Sequence, residues 1–282
     1  MAALMRGAAL GAAVVPAAAR QAGRPRFGAI RAHRLVRAAG TAVQESYTKQ
    51  ERGPPNSLEF RIFTQEKGRD ISPWHDIPLY ADAGLVNFVC EIPKESSAKM
   101  EVATDEPTTP IKQDVKKGKL RFYPYNINWN YGLLPQTWED PAHKAEDVGG
   151  VAGDNDPVDV VEIGEQALDM GGVYAVKPLA VLAMIDDGEL DWKIVAIRAN
   201  DPRAASVNDV EDVEREFPGE LEKIRVWFQD YKIPDGKPAN KFGYDNQPQN
   251  KEFTLKVIAE THEFYKALKS GERENTEGLA LA

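Results

Sequence analysis

The sequence predicts an α+β fold that is mainly β, in which short strands enclose a polar cavity and helices follow late in the chain. Between residues 58 and 197, short runs rich in β-branched and aromatic residues alternate in polarity and are separated by turns. After residue 208, apolar residues recur at helical spacing instead. Because each strand has a charged face and an apolar face, a small closed barrel with a packed core behind it suits them.

Seven segments are predicted strands, in order 58–63, 86–92, 98–103, 119–124, 158–164, 173–185 and 191–197. Side chains two residues apart on a strand share a face. Lys99 therefore shares a face with Glu101, and Asp191 shares one with Lys193. These charged faces are expected to line the cavity.

Three helices are expected to follow the strands. Asn208 is the predicted cap of the first, over 209–217, whose acidic residues suit a first turn. Pro218 suits the first turn of the second. The third begins near Asn250 and ends near Gly271. Their aromatic and aliphatic stripes indicate core packing.

The composition limits the class of protein. The chain has 282 residues, 42% of them hydrophobic, enough for one sizeable core. The only cysteine, Cys90, excludes an intramolecular disulfide and fits a reducing compartment. An uninterrupted apolar run of membrane-spanning length is absent from the sequence, so no membrane association is expected.

Charge divides the chain into segments. Residues 1–44 hold seven arginines and no acid, which is typical of an organelle transit peptide, with a disordered basic arm as the alternative. Subtracting these seven from 35 leaves 28 basic residues against 44 acidic ones, which disfavours nucleic-acid binding. We expect a polar linker over 45–57, one domain over 58–270 and a tail over 271–282. A chloroplast stroma is the predicted location, with the mitochondrial matrix as the alternative.

Residues 153–160 read GDNDPVDV and crowd Asp154, Asp156 and Asp159 together. Pro157 disfavours helix at Asp156, and an extended stretch would place Asp154 and Asp156 on one side. Such carboxylates repel one another unless a cation binds or one stays protonated. Oxygen-only ligands suit Mg²⁺ or Mn²⁺, and a solvated acidic loop is the alternative. A calcium loop is disfavoured, because Val158 occupies a ligand position and flanking helices are missing.

A second acidic cluster lies in MIDDGELDWKIVAI, where Asp186 and Asp191 precede Lys193. Two acidic clusters, each beside a strand, indicate a site for several metal ions. Basic residues accompany them: Lys99, Arg121, Lys193 and Lys232. Carboxylates for Mg²⁺ next to cations for anions are what phosphoryl chemistry needs.

Six stretches identify a family more specifically: FVCEIPKESSAKMEVATDE, KKGKLRFYPYNINWNYGLLPQTWEDP, GDNDPVDVVEIGE, MIDDGELDWKIVAI, NDVEDVE and YKIPDGKPAN. With them the sequence resembles the soluble family I inorganic pyrophosphatases, in particular the plant and algal type. The resemblance implies a five-stranded OB-like β-barrel with peripheral helices. It also implies Mg²⁺-dependent hydrolysis of pyrophosphate to two phosphates, which drives biosynthesis in an organelle. Mn²⁺ is an alternative metal, and Ca²⁺ is expected to inhibit because it prefers looser coordination.

The resemblance further implies roles for single residues. The implied metal ligands are Asp154, Asp159, Asp191, Asp186 and Glu101, of which the first three hold the first metal. The implied catalytic residues are Asp156, which contacts the attacking water, Glu91, Lys99 and Tyr131. The implied substrate-binding residues are Arg121, Lys193, Tyr231 and Lys232, which hold the phosphates together with Lys99.

Two departures from the family pattern leave questions open. Ile127 falls where fungal and animal relatives have a second tyrosine, for which Tyr123 or Tyr125 is a substitute. The donor of the proton to the leaving phosphate is therefore undecided. Lys94-Glu95 replaces a tryptophan at the fungal dimer contact, so a monomer and a homodimer are both open. A non-catalytic pyrophosphate-binding protein and a phosphatase of wider range are the rival functions.

Overall fold

The computed structural model of the protein describes residues 46–282, apart from the side chain of Ala83. The predicted transit peptide, residues 1–44, lies outside the described residues. Strands outnumber helices in the described part, which confirms the prediction of a mainly β fold with a few helices. None of the helices described there is both long and apolar enough to cross a membrane.

The strands in chain order are β1 Tyr47–Arg52, β2 Arg61–Glu66, β3 Arg69–Ile71, β4 Val86–Ile92, β5 Ser96–Ala98, β6 Met100–Val102, β7 Ile111–Gln113, β8 Val115–Lys116, β9 Lys119–Leu120, β10 Phe122–Ile127, β11 Asn130–Leu133, β12 Lys144–Ala145, β13 Val151–Ala152, β14 Asp159–Glu162, β15 Val173–Asp186, β16 Glu189–Arg198 and β17 Lys241–Phe242. The helices are α1 Val210–Glu216, α2 Glu220–Asp230 and α3 Lys251–Ser270. Single 3₁₀ turns occupy Asp82–Gly84, Glu146–Val148, Ile233–Asp235 and Tyr244–Asn246.

The largest sheet has the strand order β16, β14, β11, β4, β15, β17. Its neighbours are antiparallel except β14 and β16, which run parallel. Strand β16 also pairs with β15, so β4, β11, β14, β16 and β15 each have two partners among these five strands. The β15–β16 connection is a two-residue turn, in which Asp187 and Gly188 both have positive φ, at 51° and 98°. Left-handed residues at both positions match the twist of an antiparallel hairpin.

Alternate residues of the central strands face two different apolar clusters. Val161 and Val195 pack in one cluster, whereas Val160 and Ile194 pack in the other. Strand geometry sends neighbouring side chains to opposite faces, so both faces of the sheet are buried. The polar cavity is lined where polar and charged residues, such as Glu91 of β4 and Asp159 of β14, replace these aliphatic ones.

Two predicted strands are interrupted in the structure. Segment 98–103 divides into β5 and β6, which pair with β10 and β7 respectively. Segment 119–124 divides into β9 and β10. The breaks fall at Lys99 and Arg121, where the Lys99 amide donates to the Arg121 carbonyl at 3.1 Å. Both breaks therefore occur at residues predicted to hold phosphate, where the backbone changes partner strand.

The predicted linker 45–57 contains strand β1. Tyr47 to Arg52 pair in register with Glu66 to Arg61 of β2, in a second sheet that also contains β3, β6 and β7. Strand β1 lies at the edge of that sheet with mostly exposed side chains. Polar composition is usual for an exposed edge strand, so composition alone resembles a linker here.

The helices begin and end near the predicted residues. Asp209, not Asn208, caps α1 by accepting from the Val210 amide. Helix α3 begins after Asn250, whose side chain accepts from the Phe253 amide at 3.0 Å. Gly271 ends α3 with φ of 80°, a conformation that favours glycine. Helix α3 packs through Val257 and Ile258 against the outer face of β15.

The segment after α3, predicted as a tail, folds back onto the body. Leu279 is buried, and the Ala280 amide donates to the Thr104 carbonyl at 2.7 Å. His75 is buried between Trp74 and Tyr265, with its Nε2 2.8 Å from the Ala280 carbonyl. Burial removes water from the ring and lowers the pKa of His75 to about 4.

This lowered pKa predicts a pH-dependent stability. The unfolded chain protonates His75 near its ordinary pKa of about 6.5, whereas the folded chain resists protonation until about 4. The contribution is therefore complete above pH 6.5 and is lost as pH falls toward 4. In His75→Gln, the loss of unfolding free energy between pH 7 and 4.5 should shrink by about 2 kcal/mol. Denaturant unfolding at both pH values measures it, with exposed His143→Gln as control; equal losses in His75→Gln and wild type would contradict the prediction.

Candidate active site

A cavity of about 140 Å³ lies where the charged ends of the strands meet. Its lining includes the predicted site residues Glu91, Lys99, Glu101, Tyr131, Asp156 and Asp159. They come from β4, the break at Lys99 before β6, β6 itself, β11, β14 and the segment 153–158, called here the aspartate loop. The cavity is therefore assembled from parts of the chain that are distant in sequence.

Strand register places a buried lysine among carboxylates. The parallel pairing of β14 and β16 sets Asp159 opposite Lys193. Lys193 Nζ lies 2.5 Å from Asp159 Oδ2 and also donates to Asp191, while the Tyr131 hydroxyl donates to Asp159. Burial opposes the charge on Lys193, but the two aspartates raise its pKa well above the usual value. Lys193 is thus a fully buried ammonium that keeps its charge at neutral pH.

The aspartate loop does not run extended. Asn155 has φ of 77°, so the chain reverses between the two aspartates that flank it. Asp156 lines the cavity, where Glu101 is a charged neighbour. Asp154 lies instead beside Asp191 and Glu139. The expectation of one extended stretch is therefore wrong at Asn155, although the two aspartates stay close, since the Asp156 amide donates to Asp154 Oδ1 at 3.0 Å.

Three carboxylates form a group that suits a metal ion. One oxygen from each of Glu139, Asp154 and Asp191 lies within 4.8 Å of the others. Oxygens around one Mg²⁺, at about 2.1 Å from it, span at most about 4.2 Å, so a small closure of this group would supply three of its six ligands. Burial and mutual repulsion raise the pKa of Glu139 and of Asp154. The pKa of Asp191 rises to about 7, mainly through burial.

Glu139 was not among the predicted ligands, and Asp159, which was, is not in this group. Glu139 accepts from the Trp192 amide at 3.0 Å and is almost fully buried. In the sequence Glu139 stands in PQTWEDP, where its one acidic neighbour is Asp140. This short stretch therefore gave no signal of a metal ligand. Only the folding of segment 134–140 against the aspartate loop brings it to Asp154.

One wall of the site carries a cationic pair. Lys99 Nζ lies 2.6 Å from Glu101 and 3.2 Å from Asp114. Arg121 Nη1 donates to the same Asp114 at 2.7 Å. Asp114, which the sequence did not single out, therefore fixes both cations in one place. The sequence gives little indication of this role, because Asp114 stands beside several lysines, where an acidic residue is usually exposed to solvent.

A second group, Tyr231 and Lys232, lies at the end of α2, where the Tyr231 ring is 5.6 Å from the ring of the cavity residue Tyr123. The Tyr231 hydroxyl donates to Asp186 at 3.0 Å, and Lys232 also binds Asp186. Asp187 accepts from Lys232 at 3.0 Å and from Lys237. These hydrogen bonds lower the pKa of Asp187 to about 2. Lys232 and Lys237 therefore meet at the β15–β16 turn, beside Asp186, one of the predicted metal ligands.

Buried acids and phenols complete the lining. Burial raises the pKa of Glu91, whose Oε1 accepts from the Val102 amide at 2.6 Å. Burial and the charge on Glu101 raise the pKa of Asp156 to about 7. Of the two tyrosines considered as substitutes, Tyr123 lines the cavity and Tyr125 is exposed against Trp227, while Ile127 is in the core.

The comparisons with known proteins agree with this geometry. The family model described as inorganic pyrophosphatase matches residues 88–266. The chain belongs to the inorganic pyrophosphatase family. The family resemblance inferred from the six sequence stretches, and with it an enzyme that hydrolyses pyrophosphate, is therefore confirmed.

Three similar proteins illustrate the relationship. The chain is 68% identical over 248 residues to soluble inorganic pyrophosphatase 1, chloroplastic, of Chlamydomonas reinhardtii, covering 87% of this chain and 88% of that protein. It is 66% identical over 220 residues to soluble inorganic pyrophosphatase 6, chloroplastic, of Arabidopsis thaliana, covering 78% and 73%. The truncated Trypanosoma cruzi vacuolar soluble pyrophosphatase in complex with PPi is similar at a TM-score of 0.77 and 42% identity, covering 79% of this chain and 91% of that one.

The carboxylate group predicts the effect of Glu139→Gln. The side-chain oxygen of Gln can still accept from the backbone amide of Trp192. The substitution removes one negatively charged ligand, so Mg²⁺ affinity should fall by at least about 10-fold. Titration calorimetry without pyrophosphate measures it. Glu146→Gln, at an exposed acid in the 3₁₀ turn Glu146–Val148, is the control. An affinity in Glu139→Gln equal to that of wild type would show that Glu139 is not a ligand.

Proposed function

We propose that this pyrophosphatase works with Mg²⁺ at the cavity described, with the residue roles that the family resemblance implies. The observation that carries the proposal is the Asp159–Lys193–Asp191 arrangement, because it places a permanent cation for phosphate between carboxylates suited to a metal. Such a combination binds a small, highly charged anion together with its metal ions.

The phosphate-binding roles fall to five groups: Lys99, Arg121, Lys193, Tyr231 and Lys232. In the structure their polar atoms are held by carboxylates at Glu101, Asp114, Asp159 and Asp186. Fixed cations need no reorganisation when charge develops on the phosphate oxygens, which favours the transition state. Two cationic groups, Lys99 with Arg121 and Tyr231 with Lys232, suit the two phosphates of pyrophosphate.

The proposed metal ligands are Asp154, Asp159, Asp186, Asp191 and Glu101. We add Glu139, because its carboxylate lies with those of Asp154 and Asp191. All are oxygen donors, as Mg²⁺ prefers, and Mn²⁺ accepts the same donors. When bound, Mg²⁺ lowers the pKa of water and neutralises phosphate oxygens. The raised pKa values of Asp154, Asp191 and Glu139 support this assignment, because cations relieve that repulsion.

Asp156 is the proposed proton acceptor. Its pKa of about 7 suits a base that takes a proton from water near neutral pH. The water oxygen bonds to one phosphorus while the bridging P–O bond breaks and its electron pair leaves with the second phosphate. Burial keeps the phenols of Tyr123 and Tyr131 protonated, so either can donate to that leaving oxygen. No covalent intermediate with the enzyme is needed.

The finer details of fold and cellular setting are part of the same proposal. The ring of pairings among β4, β11, β14, β16 and β15 supports a five-stranded OB-like barrel with peripheral helices. The Chlamydomonas and Arabidopsis relatives are chloroplastic by name, which supports the chloroplast stroma and processing of residues 1–44. There the enzyme removes pyrophosphate and draws biosynthetic reactions forward, as a monomer or homodimer.

The first test is phosphate release by the full-length protein. We expect fast release from pyrophosphate with Mg²⁺, release with Mn²⁺, no release with Ca²⁺ or a chelator, and little release from ATP. Equal rates with ATP would favour a phosphatase of wider range. Pyrophosphate binding without any release of phosphate would favour a non-catalytic pyrophosphate-binding protein.

A second test addresses the base. Asp156→Asn keeps the size of the side chain but cannot take a proton, so turnover should fall by about 10²-fold or more at saturating Mg²⁺. Asp169→Asn, an exposed acid on a loop, serves as control for the amide substitution. Steady-state rates from pH 6 to 9 measure both; wild-type turnover in Asp156→Asn would exclude this residue as the base.

A further inference from the structure

Segment 134–140 holds the aspartate loop in place through hydrogen bonds. The Glu139 amide donates to the Asp156 carbonyl at 2.9 Å, and the Asn155 amide donates to the Glu139 carbonyl at 3.0 Å. The Trp138 indole N–H lies 3.1 Å from Asn155 Oδ1 and 3.2 Å from the Asn155 carbonyl oxygen. Asn155 is the left-handed residue of the loop, a conformation that persists only when neighbouring contacts hold it.

Arg273, just after α3, covers the other side of this tryptophan. Its guanidinium carbon lies 5.3 Å above the Trp138 ring, within the range of a cation–π contact. Its Nη2 lies 3.2 Å from Asp140, the residue after Glu139, and 2.7 Å from Glu277. Arg273 thus contacts both neighbours of Glu139 in the chain.

The rest of the C-terminal segment keeps Arg273 in place. Asn275 bonds both the amide and the carbonyl of Leu279, at 2.9 and 2.8 Å. Leu279 is buried, and the Ala280 amide binds the Thr104 carbonyl. Thr104 itself lines the active-site cavity. The segment therefore attaches to the body at two places, Arg273 against Trp138 and Ala280 against Thr104.

We propose that Trp138 and Arg273 are positioning residues for metal binding. Trp138 holds Asn155 and so fixes the directions of Asp154 and Asp156, while Arg273 fixes Trp138 and, through Asp140, the backbone of Glu139. The inference rests on the proposed role of these carboxylates with Mg²⁺. Partners that orient metal ligands typically contribute 10–100-fold to metal affinity.

A purely structural role makes a different prediction. If Arg273 only stabilised the fold, its loss would lower the melting temperature without changing the Mg²⁺ affinity of the folded protein. A positioning role changes that affinity, because misdirected carboxylates must be reoriented each time the metal binds. The two roles therefore separate in a metal titration carried out well below the melting temperature.

The experiment uses full-length wild type, Arg273→Gln and Trp138→Phe. Trp138→Phe keeps an aromatic ring beneath the guanidinium but removes the N–H that holds Asn155. Arg225→Gln is the matched control. Arg225 is also half-buried and ion-paired, to Glu222 at 2.6 Å within α2, and among residues 46–282 it has no hydrogen bond or ion pair with the aspartate loop. Mg²⁺ binding is measured by calorimetry without substrate, alongside the Mg²⁺ dependence of turnover and melting temperature in chelator.

We expect Mg²⁺ affinity to fall by about 10-fold in Arg273→Gln and in Trp138→Phe, with no change in Arg225→Gln. Turnover should recover largely at high Mg²⁺. Wild-type affinity in both site variants, or an equal loss in Arg225→Gln, would overturn the inference. If Arg273→Gln does not fold, Trp138→Phe decides. Wild type that neither binds Mg²⁺ nor needs it would instead overturn the proposed function, and the inference with it.

Discussion

The site depends on one buried ion group, in which Lys193 lies between Asp159 and Asp191. Such a group is costly to bury, because each charge loses its hydration, and it is stable only when every partner is fixed. The parallel register of β14 and β16 fixes Asp159 against Lys193, and the hydroxyl of Tyr131 binds Asp159 as well. The rings of Tyr131 and Phe228 lie 5.6 and 5.4 Å from the ammonium. Strand pairing and core packing thus supply the rigidity that this charge requires.

Negative charge is concentrated around this lysine well beyond what it neutralises. Burial and mutual repulsion raise the pKa of Glu91, Glu139, Asp154, Asp156 and Asp191 together. A protein selected only for stability would not collect buried carboxylates in this way, since each one opposes folding when ionised. Divalent cations relieve that repulsion, so binding metal and stabilising the site are the same physical event.

The aspartate loop shows how backbone geometry divides neighbouring residues between tasks. Because Asn155 is left-handed, Asp154 joins the carboxylate group with Glu139 while Asp156 enters the cavity. Asp154 and Asp156 are separated by one residue, and they have different carboxylate neighbours. Segment 134–140 and the C-terminal segment around Arg273 brace this arrangement from behind, which gives peripheral elements of the fold a direct connection to the site.

The sequence by itself determined the class of fold, most strand positions and the chemistry of the site. Alternation identified Lys99 with Glu101 and Asp191 with Lys193, because side-chain direction along a strand is a local property. It did not identify Glu139, Asp114, the edge strand β1 or the docking of the C-terminal segment. Each of these depends on which distant segment packs alongside, and periodicity reports a face but not its partner. Only the tertiary structure decided those contacts, since strand register and the left-handed turn at Asn155 arise from long-range pairing.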